Sequence, residues 1–329
     1  MFKGFGKISD LKAYFLRSFM KHWAVRISVL ILIILIARQP DIELDHQGKI
    51  ISYKGLVQPT DYRGVTNTSC TADRLTEVKH PYIENTIPAI AKAFELGANT
   101  VHLNIHVTAD KQIAVFHDWT LDCRTNGEGV TSEQSMEYLK TLDAGYGYRI
   151  GEEEVYPFRG KGVGLIPSLD EVLAHFPQHA FLLNMKTAGP EAIEVLGSYL
   201  NKLSSEQRSR LSFIGMQSIA EAINEEFPAQ MTYSKEVGKR CLVKYIFIGW
   251  SRYYPGSCSN TTLVIPEQFG RILWGWPEQF AARAQQNGSE VYLYQKSQPY
   301  SKDSDFREQG IGLFTGDMTG LGESQVPSQ

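Results

Sequence analysis

Short runs rich in β-branched and aromatic residues alternate with amphipathic helical patterns along most of this chain, and that alternation most narrows the folds open to it. The strand-like runs are 100–107, 113–117, 181–186, 211–216, 230–233, 290–294 and 312–315. Helical patterns between them cover 87–96, 132–142, 168–176, 190–203, 219–226 and 277–286. Such alternation builds a parallel sheet with crossover helices. A first strand near 56–63 brings the count to eight, which favours a closed (β/α)8 TIM-type barrel; an open doubly wound sheet is the competing arrangement. The run 262–266 stays unassigned. In a barrel, reactive groups belong at the C-terminal ends of the strands.

Ahead of this pattern lies ISVLILIILIA (27–37), preceded by Lys3, Lys7, Lys12, Arg17, Lys21 and Arg26 against the single acidic Asp10. Counted from Trp23 the run has 15 residues, short of the roughly 20 that span a bilayer, although Lys21 and Arg26 can snorkel and lengthen it. The alternatives are a signal peptide and an uncleaved anchor. Leu35 sits where a signal peptidase wants a small residue, which favours a transmembrane signal anchor. The basic flank then keeps residues 1–22 cytoplasmic, makes 23–38 the anchor and 39–55 a linker, and places everything after them on the extracytoplasmic side. The remaining chain, with no long linker or internal repeat, reads as one domain over 56–320 and a polar tail over 321–329. A net charge of −3 with 43% hydrophobic residues gives no signal for nucleic acid.

Export makes Cys70, Cys123, Cys241 and Cys258 disulfide candidates, and four cysteines allow three connectivities. The expected pairing closes the loop 242–257 with Cys241 and Cys258, leaving Cys70 for Cys123. No CxxC pair points to zinc. The strand TVHLNIHV puts His102, Asn104 and His106 on one face and Val101, Leu103 and Ile105 on the other. Burying three polar side chains unpaired costs on the order of 1–3 kcal/mol each, so they hydrogen-bond, bind a ligand or line a wet cavity. YIFIGWSRYYPG (245–256) and ILWGWPEQF (272–280) concentrate aromatic residues that suit glycerol, acyl chains or a bilayer interface, or simply pack on the disulfide loop.

An ordered set of segments carries a family likeness: Tyr62-Arg63-Gly64, Glu84-Asn85-Thr86, AKAFELGAN, Val101-His102-Leu103-Asn104-Ile105, His117-Asp118, Arg124-Thr125-Asn126-Gly127, LDAGYGY, PFRGKGVGLIPSLDEVL, LLNMK and IGLFTGD. Together they resemble the glycerophosphodiester phosphodiesterases, a family of metal-dependent α/β barrels. The resemblance is dense over 57–190 and looser to 317. It implies a phosphoric diester hydrolase acting on glycerophosphodiesters or lysophospholipid headgroups, with His117 as acid or base and Arg63 and Lys186 on the phosphate.

The departures fall on the chemistry. The three carboxylates that hold the family's divalent metal correspond to His102, Asn104 and Asn184, and its first catalytic histidine to Tyr62. Mg²⁺ or Ca²⁺ wants anionic oxygen, which two amides and an imidazole do not supply, so weak or absent binding is expected unless Glu84 turns inward. His102 with His106 would suit zinc better. Tyr62 would attack phosphorus only as a phenolate, and Arg63 and Lys186 would favour that form. The alternative function is a catalytically silent barrel that binds phosphodiester or lipid headgroups or a protein partner.

Overall fold

The structure, a computed structural model, describes residues 21–23, 25–28, 31, 41–66, 69–151, 154–295 and 306–318. Its strands are β1 (Ile50–Tyr53), β2 (Thr100–Val107), β3 (Ile113–Val115), β4 (Ala180–Met185), β5 (Leu211–Gly215), β6 (Thr232–Ser234), β7 (Thr262–Ile265), β8 (Glu290–Gln295) and β9 (Gly312–Thr315). Eight of them lie side by side in the order β6-β5-β4-β2-β1-β9-β8-β7, every pair parallel, while β3 turns back antiparallel on β2. At the seam, the Thr261 hydroxyl donates to the Thr232 carbonyl at 2.5 Å and the Tyr233 hydroxyl to the Val264 carbonyl at 3.3 Å. The sheet is a nearly closed eight-stranded barrel.

The principal helices are α1 (Ile87–Glu95), α2 (Leu169–His175), α3 (Pro190–Lys202), α4 (Gln217–Glu226), α5 (Lys235–Ile248) and α6 (Glu278–Gln286). Their starts are written locally: Ser168 and Glu171 form a reciprocal capping box on α2, Pro190 opens α3, and the Ser234 hydroxyl accepts from the Val237 amide on α5. Period two then sorts the strands. Val101, Leu103, Ile105, Phe181 and Leu183 point outward into the helix layer, and Ile51, Leu182, Tyr292 and Phe314 point inward.

Several boundaries differ from the sequence reading. The first strand is Ile50–Tyr53, inside the stretch read as a linker. Gly55, at φ +80, turns the chain away, and Pro59 in 56–63 has no N–H to give to a ladder. The 113–117 run is a three-residue antiparallel strand rather than a barrel stave, because a tight turn through Lys111, at φ +60, returns it directly onto β2. The unassigned 262–266 run supplies β7 instead. The loop expected between Cys241 and Cys258 is helical through Ile248. The LDAG stretch is a structural staple: the buried Asp143 carboxylate accepts from the amides of Gly145 (2.9 Å), Gly160 (2.6 Å) and Gly162 (2.9 Å).

Both expected disulfides are present, Cys70–Cys123 and Cys241–Cys258. Among the described residues no helix is long and apolar enough to cross a membrane. Most of the expected anchor 23–38, and the tail 321–329, lie outside the described residues. Cys241 and Cys258 are 17 residues apart and both fully buried. Replacing both by serine is expected to lower the unfolding free energy by about 2–4 kcal/mol. Urea titrations of the two oxidised proteins measure the difference, and an unchanged midpoint would show that the bridge adds nothing.

Candidate functional site

The C-terminal ends of the parallel strands form the barrel mouth, and a chain of buried charges crosses it. Lys54, directly after β1, places Nζ 2.7 Å from Glu84 Oε1. Arg124 Nη1 lies 3.2 Å from the same carboxylate, Arg124 Nε 2.9 Å from Asp118 Oδ2, and Asp118 Oδ1 2.5 Å from His117 Nδ1. Arg124 also donates to the Tyr148 hydroxyl at 2.5 Å and to the Thr71 hydroxyl at 2.8 Å. Side-chain exposure is 3% for Lys54 and Arg124 and 8% for Glu84, so these ions are paired in a medium where unpaired charge would be untenable. Lys54 itself sits at φ +58, a left-handed conformation that costs a lysine on the order of 1–3 kcal/mol.

These contacts set the titration of the group. Burial acts against the Lys54 ammonium, bringing its pKa down to about 8 even with Glu84 beside it. Burial alone would raise the Glu84 and Asp118 carboxyls, but Arg124 next to both, with Lys54 at one and His117 at the other, holds them below the usual carboxylate range. Burial and then Lys54 push His117 down to about 3, despite Asp118. At neutral pH His117 is an uncharged imidazole whose Nδ1 faces a carboxylate, and the burial that depresses it also weakens it as a base.

Next to this chain is the polar face of β2. His102 stacks on Tyr53 with ring centroids 4.9 Å apart and lies 5.4 Å from Phe314. His102 Nδ1 and both amide atoms of Asn104 are buried with no hydrogen-bond partner in the protein. Asn184 stands opposite Asn104 in the β2–β4 register, and its amide oxygen would lie 2.8 Å from a Cβ at Gly215, a position that only glycine leaves open. Burial, Lys186 and Lys54 all depress the His102 imidazole. His102 and Asn104 lie on one face of β2, and Asn184 stands beside Asn104 on β4.

As a cage for Mg²⁺ or Ca²⁺ the donors do not fit. Two amides and an imidazole bring no charge, Glu84 is already committed to Lys54 and Arg124, and Lys54 and Lys186 repel a cation there. Glu84 does point inward, but its charge is taken. Among the described residues no three His, Cys, Asp or Glu side chains gather around a common point suited to a metal ion.

Two expectations are overturned. Arg63 is not at the phosphate position: its side chain is 92% exposed and paired with Asp61 at 2.8 Å. The basic residue directly after the first strand is Lys54, in Tyr53-Lys54-Gly55, which repeats the aromatic-basic-glycine order of Tyr62-Arg63-Gly64. The signal was available, since Tyr-Lys-Gly follows Ile50-Ile51 with the same aromatic-basic-glycine order. Tyr62 does approach the mouth, but burial, Glu84 and Tyr294 push its phenol upward, against a phenolate nucleophile. Lys186 follows β4 and its charge is felt by His102 and His106, consistent with a place on the inner face.

Burial also lowers His106 to about 4. The folded protein therefore carries neutral imidazoles at 102, 106 and 117 where the unfolded chain takes up protons below about 6.5. As far as the imidazoles decide it, stability is expected to be level from about pH 6.5 to 7.5 and to fall toward pH 4, each such imidazole contributing about 1.4 kcal/mol per pH unit, while the depressed Lys54 makes it rise above about pH 8. Depressed Glu84 and Asp118 act in the same direction at the acid end of this window. Urea midpoints measured across pH 4 to 8 test this; a flat profile down to pH 5 would mean that the three rings are hydrated.

Comparison with known proteins agrees with this arrangement. Residues 76–318 match the glycerophosphoryl diester phosphodiesterase family. Over 103 residues the chain is 40% identical to a glycerophosphodiester phosphodiesterase of Caldanaerobacter subterraneus, covering 31% of this chain and 39% of that protein. Over 116 residues it is 36% identical to one from Bacillus subtilis, covering 33% and 38%. The chain thus spans about two-fifths of the length of these curated relatives. The fold is shared with the glycerophosphoryl diester phosphodiesterase domain of a Mycobacterium tuberculosis protein, at a TM-score of 0.59 and 16% identity over 85% of this chain and 100% of that one. It is also shared with an Oleispira antarctica phosphodiesterase in complex with the product sn-glycerol-3-phosphate, at a TM-score of 0.51 and 15% identity over 84% and 96%. With its barrel, its conserved order of segments and this match over most of its length, the chain belongs to the glycerophosphoryl diester phosphodiesterase family.

Proposed function

We propose that the barrel mouth binds the phosphodiester group of glycerophosphodiesters or lysophospholipid headgroups, and that the loss of the anionic cage leaves it a binding barrel with little hydrolytic power. One observation carries this reading: Lys54 and Arg124 are gathered in the mouth with Lys186 close enough to act on His102, and the positions that match the family's metal ligands hold the neutral His102, Asn104 and Asn184. Cations beside neutral donors in a partly desolvated pocket favour a phosphate oxygen over a divalent cation. The unpaired His102 and Asn104 atoms offer further polar contacts to such a ligand. Electrostatic stabilisation is usually the largest catalytic contribution, and His117 alone does not replace it.

A second reading, slow metal-independent hydrolysis, is favoured by the His117–Asp118 contact at 2.5 Å, which orients the ring as a base. For location, the two disulfides support an oxidising, extracytoplasmic compartment, and the basic, apolar N-terminal sequence supports a single-pass anchor, with no part for nucleic acid.

Calorimetry and turnover of the full chain in detergent separate the two readings. Wild-type protein is expected to bind sn-glycerol-3-phosphate and glycerophosphocholine without added metal, and Lys186→Met to weaken binding about tenfold. A revertant carrying Tyr53→His, His102→Glu, Asn104→Asp and Asn184→Glu is expected to gain Mg²⁺- or Ca²⁺-dependent hydrolysis at least about 10²-fold above wild type. Wild-type hydrolysis abolished by His117→Ala would favour the enzyme, and equal metal-dependent rates in wild type and revertant would defeat the binding reading.

A further inference from the structure

Away from the charged group, α5 and the connection after β7 carry large apolar side chains in water. Phe247 is 74% exposed, Trp250 49%, Tyr253 60%, Phe269 50%, Ile272 56% and Trp274 48%. Phe247 and Trp250 follow one another at helical spacing off the end of α5. The Trp274 indole donates to the Ile246 carbonyl at 2.8 Å, and the Tyr245 hydroxyl to the Trp274 carbonyl at 2.7 Å, so both segments form one surface. It is stiff: Cys241–Cys258 ties the far side of α5, and buried Arg283 on α6 donates to the Tyr245 hydroxyl and the Gly249 carbonyl. Monomeric proteins rarely leave so many aromatic residues together in water without a use for them.

The chain's own path indicates what covers this surface. Asp41 pairs with Arg252 at 3.2 Å, between Trp250 and Tyr253, and Ile42 exchanges two hydrogen bonds with the Gln279 side chain at 3.0 and 3.1 Å. Asp45 bonds to Gln285 farther along α6, so residues 41–46 run beside that helix from its start, which faces the mouth, toward its end. The apolar run 27–37 ends four residues before Asp41, a separation that chain geometry limits to about 14 Å. Lys239, Arg240 and Lys244 are exposed on α5, while Glu267 is the acidic neighbour of Arg271 at 3.9 Å. Aromatic side chains rimmed by basic ones, at the point where a bilayer-seeking segment joins the fold, match a lipid headgroup interface.

We infer that this surface docks on a lipid bilayer, seating the barrel on the membrane beside its N-terminal segment with the rim after β7 against the headgroups. The docking is independent of what the mouth does chemically, and it holds whether the bound ligand is hydrolysed or only held.

The test uses the full chain reconstituted in vesicles of equimolar phosphatidylcholine and phosphatidylglycerol. Phe247→Cys, Trp250→Cys and Ile272→Cys, and Lys202→Cys on α3 as the control, each receive an environment-sensitive fluorophore, and circular dichroism checks the fold. Lipids quenching at headgroup depth are expected to quench the first three several-fold more than the control. Equal quenching at all four sites would overturn the inference. So would shielding of Phe247→Cys that persists in detergent and cross-links to the N-terminal segment, or that depends on protein concentration, because a folded-back segment or a second copy would then be the occupant. Ligand binding measured on the same samples is a separate readout, so failure of docking and failure of the proposed mouth function are distinguishable.

Discussion

Arg124 is the hinge of the mouth. It is buried, it binds Glu84 and Asp118 at once, and it reaches Tyr148 and Thr71 with its remaining donors. Removing any member of such a set strands another charge in low dielectric, a loss of about 3–5 kcal/mol. This is why Lys54 accepts a left-handed backbone and a depressed pKa, and why His117 is held in one orientation by a carboxylate that is itself held by a guanidinium. The geometry of the site follows from satisfying two buried carboxylates with two buried cations.

That solution has a chemical cost. A carboxylate neutralised by lysine and arginine has little left for a divalent ion, and the three positions that would complete a cage carry no charge. The same pocket keeps the cations that a phosphate group needs. On the binding reading proposed above, ligand recognition and metal-assisted catalysis come apart because they depend on opposite signs of local charge.

Much of the fold was legible because it is encoded in periodicity. Thr100–Val107 alternates so strictly that its two faces and its polar set were readable before any coordinates, α2 carries its capping box beside it, and α1 and α3 carry a proline in the first turn. The misreadings share a cause. Strands of three or four residues such as Ile50–Tyr53 and Thr262–Ile265 are too short for periodicity to separate from a loop, and α5 hid because its outer face mixes Lys239, Arg240 and Lys244 with the exposed apolar Val243 and Phe247, which blurs the helical period. A motif of aromatic, basic residue and glycine occurs twice within twelve residues, and only in the copy following β1 does the basic residue reach the mouth.

By itself the sequence determined the alternation of strand and helix, the cysteine pairs available, and the neutral character of the β2 face at 102 and 104, since each is a property of residues near one another or of residue type alone. Tertiary structure decided the rest: that Lys54 rather than Arg63 lies at the site, that Glu84 spends its charge on two cations, and that the aromatic residues of α5 and the β7 connection share a surface with the incoming N-terminal chain. Those facts join residues tens to hundreds of positions apart. Pairing across such distances is set by how the barrel closes, which no local pattern in the chain records.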